Sequence, residues 1–378
     1  MSVEIDTQVD RGAAPRGRTA RGGSEVPLLQ IEDLRVWFET PRGQVRALDG
    51  VDLVLHAGQT LGVVGESGSG KSVMSRAVMK ILAPNATVLE GSRISLEGVD
   101  LAETSPKKQR HLWGVELAMV FQDPMTSLTP VMTVGKQLTE TLRFHRGLDA
   151  RAARAEAIRL LRLVGIPEPE RRFDQYPHNL SGGMRQRVTI ALAICCSPKL
   201  LIADEPTTAL DVTVQQQILN LLDELQEQSG MGMILITHDL GVVAGRADHI
   251  AVMYAGRVVE RAPTRQLFTA MRHPYTRALI DAIPKLEDPA HTRLAAIPGR
   301  PPVVIDPPPG CRFAPRCPSA QPRCLEETPV LETAPDSAEH EVACFFPLGT
   351  AEGESARAAN AAAGRNAAGT PVDEQKVA

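Results

Sequence analysis

The sequence predicts an α/β fold: a parallel sheet with helices on both faces, an antiparallel β lobe before it, a helical lobe inserted in it, and a small cysteine-rich module behind it. Three observations predict this. Apolar runs of strand length alternate with helix-spaced stretches between Thr60 and Thr237, the order that builds a parallel sheet. A glycine-rich loop, Gly65-Glu66-Ser67-Gly68-Ser69-Gly70-Lys71-Ser72, joins the first such run to the first helix. Cys311, Cys317, Cys324 and Cys344 gather beyond a proline-rich stretch.

Residues 1–27 are Gly, Ala, Arg and Ser with little apolar content, and a disordered tail is expected there. Alternation in Leu28-Leu29-Gln30-Ile31 and Leu34-Arg35-Val36-Trp37-Phe38 suggests antiparallel strands up to Leu55. Thr60–Val64 reads as a short buried strand running into the glycine loop, and Val73, Ala77, Val78 and Ile81 give Ser72–Leu82 helical spacing. Ala118–Phe121 is a further strand, ending at Gln122. Val134–Leu163 is expected to be helical and to stop at Gly165-Ile166-Pro167. Tyr176–Ser181 leads into a helix through Arg187 and Ile194; Leu200–Ala203 and Met233–Thr237 are strands, with Val214–Gln228 a helix between them. The main domain thus spans 28–284, with its helical lobe at about 123–185. His273–Leu279 is expected to be the last helix. Prolines make 297–309 an extended linker, the extension 285–347 carries the four-cysteine module, and 348–378 is expected to be a disordered tail. No internal repeats are visible.

Composition narrows the class. With 43% hydrophobic residues the chain can bury a sizeable core, and its net charge of -4 gives no electrostatic reason to expect nucleic acid as a partner. No run approaches the ~18 apolar residues of a spanning helix. The arginines near the N-terminus precede no apolar segment, so a secretory signal is not expected. The expectation is a cytoplasmic protein that meets membranes only through partners. Cys195 and Cys196 lie in the apolar run Ile190–Ile194 and its continuation, where buried inert thiols are expected.

The glycine loop turns backbone N–H groups onto phosphate oxygens, and the helix behind it adds its positive end. Lys71 would neutralise the β- and γ-phosphates and Ser72 would offer a hydroxyl to Mg²⁺. Asp204 ends an apolar strand, so its carboxylate emerges at the sheet edge where ligands of open sheets bind, placed to hold Mg²⁺ through water. Glu205 follows it. Ser181-Gly182-Gly183 begins a helix, a place suited to an anion.

Leu180-Ser181-Gly182-Gly183-Met184 followed by Leu200–Glu205, with the glycine loop, Gln122, Asp211 and His238 in this order, resembles the full motif set of an ABC-type P-loop ATPase over roughly residues 28–347. The resemblance implies a RecA-like core. It makes Glu205 the general base that polarises the attacking water, Gln122 the lid residue reaching Mg²⁺ and that water, and His238 the γ-phosphate switch. Ser181 and Gly183 would bind the γ-phosphate held by a second ATPase subunit, with Asp211 in the loop connecting the two sites. Met184 departs from the usual glutamine, which puts signalling across the dimer in question. Phe38 is the candidate for stacking on adenine, with Trp37 the competing position and a core strand residue the plain alternative.

Cys311-x5-Cys317-x6-Cys324-x19-Cys344 lacks the paired knuckles of common zinc sites. Four thiolates could hold Zn²⁺ or an iron–sulfur cluster, or stay free. Arg312, Arg316 and Arg323 lie beside them and would offset cluster charge, and Cys317-Pro318 is similar to ferredoxin-type ligation. The segment 310–347 is expected to be too short and apolar-poor to fold without a metal centre. His273-Pro274-Tyr275-Thr276, Pro298-Gly299 and Gly310-Cys311-x-Phe313-x-Pro315-Arg316-Cys317 resemble the C-terminal extension of the oligopeptide/dipeptide importer ATPases. That resemblance implies a [4Fe-4S] cluster on the four cysteines. It also implies an ATPase subunit of a peptide importer at the cytoplasmic face of the membrane. Its partners would be a second, identical or homologous ATPase, two permeases and, indirectly, an extracytoplasmic substrate-binding protein. A nickel, glutathione or other small-solute importer is the alternative within the branch. A soluble ATPase acting on DNA or the ribosome needs coiled-coil insertions, a tandem ATPase or a basic surface, and the sequence shows none. A sensory iron–sulfur protein with vestigial nucleotide binding is opposed by Lys71, Glu205 and His238.

Overall fold

The structure, a computed structural model, describes residues 26–105, 112–123, 127–208, 210–283, 297–302, 304–305 and 307–372. Nearly all of the tail expected at 1–27, and residues 285–296 of the extension, lie outside the described residues.

Two sheets carry the fold. The first is antiparallel: β1 (Leu29–Thr40), β2 (Gly43–Leu55), β4 (Ala86–Val88), β5 (Arg93–Leu96) and β6 (Val99–Asp100), with β1 pairing β2, β4 and β5. The second contains β3 (Thr60–Val64), β7 (Leu117–Val120), β8 (Leu200–Asp204), β9 (Gly232–Thr237), β10 (His249–Tyr254), β11 (Arg257–Pro263), β12 (Glu332–Thr333) and β13 (Glu341–Val342). Its order is β12-β13-β11-β10-β3-β9-β8-β7, and the five strands from β10 to β7 are parallel. β3, β7, β8 and β9 are buried at every position, as parallel strands covered on both faces must be. Their side chains alternate between two cores. Met233 and Leu235 face the one shared with the helical lobe, while Ile234 and Ile236 face the one shared with the antiparallel sheet. Chain order reverses at β3, between β9 and β10, which opens a crevice at its C-terminal end.

Where the structure departs from the expectations, the reasons are local. The stretch 134–163 is two helices, Val134–Arg146 and Ala150–Leu163, because Gly147 turns left-handed at φ 64 and Asp149 accepts the Ala152 N–H as a new N-cap. β4–β6 are only three, four and two residues long, too short for an apolar pattern to stand out. The proline-rich stretch is docked along β2: the Arg46 N–H donates to the Val304 carbonyl at 2.9 Å, and Val45 bridges Ile305.

Helix Pro274–Asp281 is followed by Pro322–Glu326 and by Ala351–Ala363. The last contradicts a disordered tail from 348. It is alanine-rich, starts on a Thr350 N-cap and ends at left-handed Gly364, and the buried Asn360 amide donates to the carbonyls of Pro318 and Ala320. The cysteine module is likewise no free-standing unit. β13 pairs β11 and so extends the main sheet, and Phe313 packs with Tyr254 and Tyr275 at centroid distances of 5.2 and 5.3 Å. Sheet pairing and aromatic burial tie the module to the main domain and contribute to its stability.

Candidate functional site

The glycine loop leaves β3 at the chain reversal. Gly65 has φ +155 and a Cβ there would sit 2.2 Å from the Met253 carbonyl, so only glycine lets the loop lie against β10. Lys71 is buried at the helix start, its ammonium donating to the carbonyls of Gly65 at 2.7 Å and Glu66 at 3.0 Å. These bonds hold the amine within the loop. Ser69 and Gly70 are buried, whereas Ser67 and Gly68 are exposed at the mouth. Ser72 Oγ donates to Asp204 Oδ1 at 3.1 Å across from the end of β8, and Ser75 Oγ lies 3.4 Å from Asp204 Oδ2. Burial pushes the Lys71 pKa down, against the pull of Glu205, Asp204 and Glu66. Burial pushes the Asp204 pKa up, against the hydrogen bond from Ser72. Both shifts are set first by loss of water around the charge.

Glu205 stands one residue beyond β8 in a left-handed conformation, φ 47, with its N–H donating to the Ile236 carbonyl. One oxygen collects the neighbourhood: Oε2 accepts from Gln122 Nε2 at 3.0 Å and Thr208 Oγ1 at 2.9 Å, and lies 3.5 Å from His238 Nδ1. Gln122, Glu205 and His238, drawn from the ends of three different strands, therefore converge. Thr208 and Ser75 were not read from the sequence. Ser75 had a signal, its i+3 spacing from Ser72 on one helix face.

Ser181 is exposed and N-caps helix Gly182–Ile194, its Oγ accepting from the Met184 N–H. Gly183 lies under Val214, where a Cβ would come within 2.7 Å of Cγ1, and Gly182 is exposed beside it. Asp211 N-caps the helix Val212–Ser229, accepting from the Val214 N–H at 2.9 Å. These two caps meet through Val214. Phe38 packs partly against the core beside the helix after the glycine loop, opposite Val45 and Ala86. The Arg46 guanidinium lies 4.8 Å from the Trp37 ring centroid.

Cys311, Cys317, Cys324 and Cys344 line one cavity, together with His273, Phe313, Phe345 and Phe346. Burial raises each thiol's pKa, Cys344 to about 12, and the neighbouring thiols add to the rise for Cys311, Cys317 and Cys344. Among the described residues, no group of three or more His, Cys, Asp or Glu is drawn together tightly enough to hold a metal ion. The expectation about charge is also corrected: Arg312 pairs with Asp49, Arg316 with Glu66 and Arg323 with Glu327, so all three cations are already matched by carboxylates. Cys195 is buried as expected, but Cys196 is half-buried, and the hydrogen-bonding contact between the two thiols lowers its pKa.

The profile of the family described as "ABC transporter" matches residues 48–208, and that of "Oligopeptide/dipeptide transporter, C-terminal region" matches 259–324. The chain is 50% identical over 310 residues to the "Oligopeptide transport ATP-binding protein OppD" of Bacillus subtilis, covering 82% of this chain and 87% of that one. It is 49% identical over 323 residues to the "Dipeptide transport ATP-binding protein DppD" of Escherichia coli, covering 85% and 98%. Among solved structures it is similar to a dimeric post-hydrolysis state of the ATP-binding cassette MJ0796 bound to ADP and Pi. That match has a TM-score of 0.56 and 26% identity over 63% of this chain and 99% of that one. No helix among the described residues is long and apolar enough to cross a membrane.

Proposed function

The chain belongs to the ABC transporter family, in its oligopeptide/dipeptide branch, as an ATP-hydrolysing subunit of peptide import, and from that premise we propose how its residues do the work. The observation that carries the reading is the convergence of Gln122, Thr208 and His238 on Glu205 Oε2, one residue from an Asp204 already bonded to Ser72.

Backbone amides from Gly65 to Ser72 cradle the phosphates, and Lys71, held from behind, faces them with its charge. The adenine stacks on Phe38. Ser72, Asp204 and Gln122 present hard oxygen donors, and the buried Asp204, whose proton affinity burial has raised, is suited to a divalent cation. These residues would hold Mg²⁺, which would supply charge screening for the transferring phosphoryl oxygens. Glu205 takes the proton of the attacking water, Gln122 orients that water, and His238 registers the γ-phosphate. Exposed Ser181 and half-buried Gly183 reach the nucleotide of a second ATPase subunit, with Asp211 relaying between the sites. ATP binds the closed pair more tightly than the open one and so shifts the population toward it. Two permeases docked near Gln122 and the helical lobe follow that shift, and a substrate-binding protein delivers peptide to them from outside.

The four cysteines would hold a [4Fe-4S] cluster. Four soft sulfur donors lining one cavity are the donor set such a centre would use. When bound, such a centre would make thiolates of thiols that burial otherwise keeps protonated.

The test is uptake by the complete complex in vesicles, with ATP on the ATPase side. Labelled di- and oligopeptides are expected to accumulate, and Glu205→Gln to stop them. Accumulation of nickel or glutathione, and not of peptides, would transfer the reading to that alternative.

A further inference from the structure

An acidic side chain stands where acid is least expected. Glu66 is the second residue of the phosphate-binding loop, and its charge is one of those acting on Lys71. Left free beside a triphosphate it would repel the ligand and compete for the lysine. Arg316, 250 residues away, takes it up: Nη1 lies 2.6 Å from Oε2 and Nη2 3.0 Å from Oε1, a two-pronged pair in which the Arg316 side chain is 4% and the Glu66 side chain 26% exposed. The fork is braced from behind by the carbonyls of Pro298 and Ile297 and by the Tyr254 hydroxyl. The Glu66 N–H is fixed as well, donating to Tyr275 Oη at 2.9 Å. A second route runs in parallel, because Arg312 donates to the Ala255 carbonyl and the next residue's N–H, that of Gly256, donates to the Ser69 carbonyl at 2.8 Å. Both arginines lie on the Cys311–Cys317 turn, and Arg316 ends its 3-10 segment Ala314–Arg316.

We propose that Arg316 is a positioning residue for nucleotide binding: it neutralises Glu66 and pins the outer rim of the phosphate loop, so that the cysteine module sets how well the ATP site of its own chain is formed. This depends neither on which solute is imported nor on what the thiols hold. Removing one member of a buried charge pair leaves the other uncompensated, and here the orphan would be a carboxylate at the phosphate site. The same substitution has nothing to unmask once Glu66 is neutral.

Titration of the full-length chain with a fluorescent ATP analogue and Mg²⁺ tests this. Arg316→Gln is expected to raise Kd about tenfold. In a Glu66→Gln background the same change should alter Kd by less than about twofold. Arg316→Lys should recover part of the loss, since a point charge cannot reproduce the fork. The loss for Arg316→Gln should fall more on KM for ATP than on kcat, since the guanidinium acts through the loop that binds the phosphates. If Arg316→Gln does not fold, Arg316→Lys carries the same comparison between backgrounds. An equal loss in both backgrounds, or no loss in either, would overturn the proposal and leave Arg316 as a brace for residues 297–298.

Discussion

Glu205 is held in left-handed backbone, a conformation that costs a non-glycine residue on the order of 1–3 kcal/mol. The Ile236 carbonyl and the Thr208 hydroxyl hold it there, and the strain aims the carboxylate at the place where Gln122 and His238 meet. Glu205→Gln keeps the shape and the contacts with Thr208 and Gln122 while removing the base. It should therefore leave nucleotide affinity unchanged and slow hydrolysis at least ~10²-fold, with ATP-bound dimers accumulating. Near-normal turnover in complexes whose every site carries the substitution would remove Glu205 from that role. Lys71, Ser72, Asp204 and Glu205 were legible because each sits in a contiguous motif at a strand end. Tyr275 and Arg316 were not, because they meet Glu66 from 209 and 250 residues away. Nothing local marks a residue that serves a distant loop.

Secondary elements divide in the same way. Four of the five parallel strands, β3, β7, β8 and β9, were legible, since strands covered on both faces must be apolar runs, whereas β10 was not read as a strand although it is buried at five of its six positions. β4–β6 and the helix Ala351–Ala363 were not, the former because two to four residues are too few to show a pattern and the latter because an Ala/Gly composition reads as low complexity until its capping is seen. The helix Gly182–Ile194 shows what an element adds to a motif. Its N-cap, Ser181, and the next residue, Gly182, are both exposed, so the positive end of the helix opens to the surface. Ser181→Arg removes the cap, worth about 1 kcal/mol, and fills that surface with a long cation. Nucleotide binding at Lys71 should persist while ATP-driven closure of the paired ATPases is lost. A spin-label distance between the two subunits reads this, and an unchanged shortening on ATP addition would contradict the role proposed for Ser181 and Gly183.

At the scale of the whole molecule, the C-terminal module is built into the cassette. It lends β12 and β13 to the main sheet, Phe313 to the aromatic cluster, and Arg312 and Arg316 to the rim of the ATP site. The residues from Ala351 to Thr370 then bind it from outside, Asn366 donating to the Cys317 carbonyl at 3.0 Å and Thr370 to that of Pro315. These contacts are expected to hold the module even without a metal, and this sets what cysteine substitution should do. Each of Cys311→Ser, Cys317→Ser, Cys324→Ser and Cys344→Ser should abolish iron and acid-labile sulfide, present in the anaerobically purified parent at about four of each per chain. Amide exchange in β11 and β13 should stay slow in all four variants, because backbone pairing and aromatic packing persist without the thiols. Serine keeps the size of cysteine but is a far poorer ligand to a soft metal, so loss of the centre without loss of the sheet is the expected pattern. One zinc per chain in the parent, or no metal at all, would end the cluster assignment. Iron lost together with exchange protection in β13 would show instead that the centre, and not the sheet, holds the module in place.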